Sequence, residues 1–100
     1  MASSVPSFLA HKDGDFVAVA VRDVTRGEAD IGYLDGTSSI TLTVNAEIPL
    51  GHKVALVDVA EGDDVIEYGV RTAIASTDIK QGDYVHVHNV RSARWQNSVA

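Results

Sequence analysis

The chain has 100 residues, 45% hydrophobic and 22% charged, with a formal net charge of -6 and no cysteine. That length suits one domain around one core. The acidic balance argues against nucleic acid, whose binding needs clustered Lys and Arg. Absence of Cys excludes disulfides, thiolate catalysis and Cys-ligated metal. No apolar run approaches the roughly 18 residues of a membrane span, and the start has no basic, apolar leader pattern; the reading is a cytoplasmic protein without membrane contact.

In chain order, residues 1–7 read as a flexible N-terminus. The stretch "DFVAVAV" is a strand, "YLDGT" around Asp35 and Gly36 a turn, and "SSITLTV" another strand. "IPLGHKVAL" follows: Pro49 stiffens the approach, Gly51 permits an unusual backbone angle, and His52 and Lys53 precede a renewed apolar run. Next come "DVIEYGV" and "DYVHVHNV", both alternating with β-branched or aromatic residues. No window carries a useful amphipathic helix. The fold class is therefore mainly β, a small barrel-like or folded-sheet domain with short strands and tight Gly turns.

A short phrase occurs three times: "AVRDVTRGE" from Ala20, "ALVDVAEGD" from Ala55 and "ASTDIKQGD" from Ala75. Each fits A-x-x-D-(V/I)-x-x-G-(D/E), with Asp23, Asp58 and Asp78 fourth and Gly27, Gly62 and Gly82 eighth. Their spacing is unequal, so this is no solenoid. Asp accepts backbone N–H bonds and Gly takes a left-handed angle, which makes each copy a strand end, a tight turn and a new strand. The three Asp residues are read as turn caps in preference to catalysts.

Four histidines and their neighbours carry the candidate chemistry. On an extended strand Val85 and Val87 face one way while Tyr84, His86 and His88 face the other. On one strand face Cβ atoms two residues apart stand about 6.5 Å from each other, so two such His can share a metal, although a polar outward face is the simpler alternative. His52 and Lys53 beside Gly51 make a proton-exchanging, locally positive spot for an anion, with an ordinary polar loop as the alternative. His11 and Lys12 form a second His-Lys pair before a turn. The tail from residue 91 to 100 places Arg91, Arg94 and Trp95 as interface anchors or as a closing core residue.

The phrases "IPLGHK", "EYG" and "VHVHN", in that order within residues 8–90, resemble the small SAF (antifreeze-like, β-clip) domain of the altronate and galactarate dehydratases. Ala73 stands where that family often has Gly. The resemblance implies a small subunit, or an N-terminal domain, of a sugar-acid dehydratase, inactive without a large catalytic subunit. It also implies a small hydroxy-acid substrate and a divalent metal such as Fe(II) shared with that subunit. In this reading His52, His86 and His88 are catalytic, with His86 and His88 as metal ligands and Lys53, Asn89 and His11 holding substrate. A homo-oligomer is left open. Two alternatives stand beside it: the small subunit of a sulfolactate sulfo-lyase-type enzyme, and a carbohydrate-acid binding module without catalysis.

Overall fold

The structure, a computed structural model, describes residues 6–67, 69–86 and 88–92. The expectations for residues 1–5, Tyr68, Val87, Arg94 and Trp95 lie outside them. Nine strands run through the described residues, and none of these residues is helical. They are β1 (Phe8–Ala10), β2 (Val17–Ala20), β3 (Gly27–Tyr33), β4 (Ile40–Val44), β5 (Lys53–Ala55), β6 (Asp64–Glu67), β7 (Val70–Ala75), β8 (Tyr84–Val85) and β9 (Val90–Ser92). Six form one sheet in the order β4-β3-β1-β2-β5-β8, with only the β1–β3 pair parallel. The other three form an antiparallel sheet β6-β7-β9. The mainly β expectation holds.

The recurring phrase explains how the chain closes. Its copies cross in pairs. Val59 and Ile79 exchange both backbone hydrogen bonds at 2.8 Å. The Asp58 carboxylate accepts from the Gln81 N–H at 2.8 Å, and Asp78 accepts reciprocally from the Glu61 N–H at 2.9 Å. The copy at Ala20 also has a partner, which the sequence disguises. Residues 44–52, "VNAEIPLGH", carry Val in the first place, Glu47 in the fourth, Ile48 in the fifth and Gly51 in the eighth. Val24 and Ile48 exchange backbone bonds at 2.9 and 2.8 Å, and Asp23 accepts from the Leu50 N–H. There are four copies of the device, forming two pairs.

The pairs seal two cores where one was expected. Val24 and Ile48 belong to a cluster with Phe8, Ile31, Val44 and Val54, whereas Val59 and Ile79 pack with Val17, Val65 and Val85. The division follows strand alternation. In β2, Ala18 and Ala20 face the first cluster and Val17 the second; in β5, Val54 faces the first and Ala55 the second. Strands buried on both faces lose the polar alternation that marks a half-exposed strand. Ala at the first place of three copies is buried at 2% exposure or less, where a larger side chain would have no room.

Two apolar-alternating segments stop sooner than their patterns suggest. "DVIEYGV" is broken by the turn at Gly69, whose φ is +75°, so β6 and β7 make a hairpin. "DYVHVHNV" leaves the sheet after Val85. β3 is not among the strands expected from the sequence; in "EADIGY" exposed Glu28 and Asp30 alternate with buried Ala29 and Ile31.

Gly62 and Gly82 test the device directly, because they hold equivalent places with φ of +88° and +91°. A Cβ on Gly62 meets open space; on Gly82 it collides with the Thr43 carbonyl oxygen. Gly62→Ala is expected to cost only the left-handed strain of about 1–2 kcal/mol. Gly82→Ala is expected to cost more than about 3 kcal/mol, since backbone must move. Urea unfolding of both variants measures the difference, and equal costs would contradict the close approach.

Candidate functional site

The fourth copy of the device builds the site. Its turn is that of the copies at Ala55 and Ala75: the N–H of His52, Asp63 or Asp83 donates to the carbonyl of Pro49, Ala60 or Lys80 at 2.9–3.0 Å. Glycine occupies the third turn position, with Gly51 at φ +85°. His52 therefore stands where the other two turns carry an acid. The same backbone geometry here presents an imidazole instead of a carboxylate.

Strand pairing then brings β8 alongside. Lys53 is in register with Val85 and Val54 with Tyr84. The Tyr84 hydroxyl lies 2.7 Å from His52 Nδ1, across 32 residues of sequence. The His52 and His86 rings meet edge to face at 5.1 Å between centroids. Tyr84 and His86 are nearly parallel, 8° apart at 5.7 Å, and His88 meets the edge of Tyr84 at 5.8 Å. Tyr84, absent from the expected site, touches all three imidazoles. Its signal was its place one step before "VHVH" on the same strand face.

Two of these rings, His52 and His86, border a cleft of about 320 Å³ where the two sheets meet, lined also by Val17, Lys53, Glu67 and Thr72 among others. Lys53 Nζ lies 3.2 Å from Glu67 Oε1, and the Lys side chain is 41% exposed against 13% for the Glu. The carboxylate is thus the shielded partner and the ammonium the accessible one. An anion entering the cleft meets a cation already balanced by a protein carboxylate, so its charge competes with Glu67 for Lys53.

Asn89 has a different placement. It is 4% exposed, and its amide is spent on the loop: Oδ1 accepts from the His86 N–H at 3.0 Å and Nδ2 donates to the Tyr84 carbonyl at 2.8 Å. The Asn89 and Val90 N–H groups both donate to the His86 carbonyl. This side chain replaces the ladder that would have continued β8, which is why alternation ends at His86. Asn89 positions the histidine loop, and its inward amide is not directed at the cleft.

His11 lies at another surface, beside Lys12, Leu34 and Asp35. The buried Asp15 carboxylate accepts from the His11 N–H at 3.0 Å, and His11 Nδ1 stands 3.9 Å from the same carboxylate. Nearby, Asp35 accepts from the Thr37 N–H at 2.8 Å and the Asp13 N–H at 3.0 Å. Bonds from the Thr37 side chain, then from backbone amides, hold the Asp35 carboxyl below its usual range. Burial, then Asp13, Asp15 and Asp35, push the Tyr33 hydroxyl up.

Among the described residues no three His, Asp or Glu side chains are grouped to hold a metal ion. His86 and His88 have no third ligand grouped with them among the described residues. A metal would need further ligands from elsewhere.

Fold and site together define a mainly β domain of paired turns that presents an imidazole cluster beside a lysine-lined cleft. The chain belongs to the altronate/galactarate dehydratase SAF domain family, whose model matches residues 6–93. It is 39% identical to the (2R)-sulfolactate sulfo-lyase subunit alpha of Chromohalobacter salexigens, over 88% of this chain and 96% of that protein. It is 35% identical to the altronate dehydratase of Bacillus subtilis over 86% of this chain, and 39% identical to that of Escherichia coli over 78%. The match spans only 16% and 15% of those two dehydratases.

Two outcomes follow from the geometry. Asn89→Ala strands the His86 N–H and the Tyr84 carbonyl, and is expected to destabilise by about 1–3 kcal/mol, read in urea unfolding together with loss of the Tyr84 and His86 ring contacts by NMR. A variant of unchanged stability would remove Asn89 from the loop's support. For Asp35 the sign is that of a depressed carboxyl: its contribution is present above the unfolded value and lost as pH falls through the folded one. The Asp13 and Thr37 amide shifts should titrate with a midpoint below 3.8, and a midpoint above 3.8 would contradict the assignment.

Proposed function

We propose that this domain supplies an imidazole-bearing part of a composite active site in a lyase, completed by a larger catalytic subunit or domain, that acts on a 2-hydroxy carboxylic acid. The observation that carries the reading is the convergence of His52 and His86 at one cleft with Lys53, with Tyr84 bonded to His52 behind them. Membership of the dehydratase SAF family supports the reaction class.

Elimination from a hydroxy acid removes the proton α to the carboxylate, forms a carbon–carbon double bond and expels the β substituent, leaving an enol that becomes a 2-oxo acid. Three demands follow: a cation for the carboxylate and the developing enediolate, a base for the α proton, and an acid for the leaving group. Lys53 meets the first by exchanging Glu67 for the substrate carboxylate. A protonated histidine meets the third: hydroxide is a poor leaving group, so the imidazolium gives up its proton as the C–O bond breaks, water departs and neutral imidazole remains. The base belongs to the larger partner in this proposal. A divalent metal, Fe(II) among the choices, enters only at the junction with that partner, since the described residues do not enclose one; no step is assigned to it.

The sulfo-lyase alternative has its own support in the match over 96% of the Chromohalobacter subunit alpha. Sulfite leaves as a stable anion and needs no proton, so the two readings ask different things of the histidines.

Co-expression with a large subunit encoded beside this chain, followed by assays on altronate, galactarate and sulfolactate, tests the proposal. Turnover is expected only from the complex. His86→Ala should lower kcat for dehydration by roughly 100-fold, while Lys53→Met should raise KM. Unchanged turnover in the histidine variant would remove His86 from the chemistry, and turnover by the chain alone would overturn the composite site.

A further inference from the structure

We propose that Tyr84 is the positioning residue of the imidazole cluster: its hydroxyl holds His52 as the tautomer with the proton on Nε2, and its ring orders His86 by stacking. The kinetic consequence rests on the lyase reading, but the tautomer does not.

The argument begins with the 2.7 Å contact between the Tyr84 hydroxyl and His52 Nδ1. One hydrogen must lie between the two atoms. Either the phenol donates to a bare Nδ1, or Nδ1–H donates to the phenol oxygen. Phenol is the better donor and poorer acceptor, because its oxygen lone pair is delocalised into the ring. The bare nitrogen of a neutral imidazole is a strong acceptor. Tyr84 therefore donates, Nδ1 accepts, and the ring proton is on Nε2.

The consequence is chemical. A histidine locked as Nε2–H offers a hydrogen-bond donor at the nitrogen not held by Tyr84, and His52 is part of the cleft wall together with Lys53. That N–H adds a second donor, beside the Lys53 ammonium, to the residues that line the cleft. In the Nδ1–H tautomer the second nitrogen would present a lone pair to an anionic acid and repel it. The hydroxyl thus decides whether His52 attracts or opposes substrate, and it does so from outside the lining of the cleft.

The ring has a separate task. Tyr84 lies parallel to His86 at 5.7 Å and meets the edges of both His52 and His88. Offset parallel and edge-to-face contacts order exposed rings. Its backbone carbonyl, bound by Asn89, anchors the same loop. Removing the hydroxyl and removing the ring should therefore have different effects.

Nitrogen-15 spectra of the histidine rings in the full chain, above the imidazole titration range, decide the point. In the wild type His52 Nε2 should show the protonated shift and Nδ1 the bare one. Tyr84→Phe should add the Nδ1–H form at His52 and leave His86 unchanged; Tyr84→Leu should also shift the His86 ring signals. In the complex, Tyr84→Phe should raise KM for the hydroxy acid about 10-fold with kcat falling less. A wild-type His52 protonated on Nδ1, or a Tyr84→Phe spectrum identical to wild type, overturns the proposal. Failure of the complex to turn over any hydroxy acid would sink the lyase reading and leave the nitrogen spectra to decide the tautomer.

Discussion

The structure depends on one exchange: a carboxylate in the fourth place of a short phrase caps an amide in the seventh place of another, while the buried aliphatic residues between them trade backbone hydrogen bonds. Asp58 with Gln81 and Asp78 with Glu61 make the exchange reciprocal, and Val59 and Ile79 lie at its centre. A bare crossing of two chain segments would bury amides without partners, which costs about 1–3 kcal/mol for each. Here the amides of Val59, Ile79, Glu61 and Gln81 each meet an acceptor, and two aliphatic side chains leave water at the same point. The second pair repeats the backbone exchange through Val24 and Ile48 and one of the two carboxylate caps, Asp23 on the Leu50 N–H.

That economy explains the two cores. Strands this short cannot close one large sandwich. Instead each crossed pair caps one apolar cluster, and β2 and β5 run between the clusters with a face in each. The cleft arises where the sheets part, and the Lys53–Glu67 pair ties β5 to β6 beside it. The site is thus a seam between two packed units. Such seams are favourable places for ligands because side chains from several strands converge there.

The site reuses the scaffold's own turn. At Gly51 the chain makes the turn found at Gly62 and Gly82, but with His52 in place of Asp. Scaffold and chemistry therefore differ by a side chain on an unchanged backbone. Asn89 does the complementary work at β8, where it stops the strand and directs the chain after His86 into a compact turn. Both devices fix the backbone from which the imidazoles project. The tyrosine between them extends the same logic to tautomer choice.

The sequence by itself determined the mainly β class, the turn device, its capping Asp residues and the family, because each is written in neighbours a few positions apart. Alternation placed β2 and β4, and Asp-x-x-x-Gly spacing placed the turns. It did not reveal that the devices cross in pairs, nor that "VNAEIPLGH" is one of them, because Glu47 and His52 depart from the phrase and only shared hydrogen bonds expose the equivalence. It also carried "VHVHN" past its true end, since alternation cannot register a buried Asn that replaces a ladder partner. Tertiary structure alone decided that His52 meets Tyr84 and His86, that Lys53 meets Glu67, and that Asn89 turns inward while His11 sits at another surface. Those contacts link residues up to tens of positions apart through strand register, and register is a property of the whole sheet rather than of any local pattern.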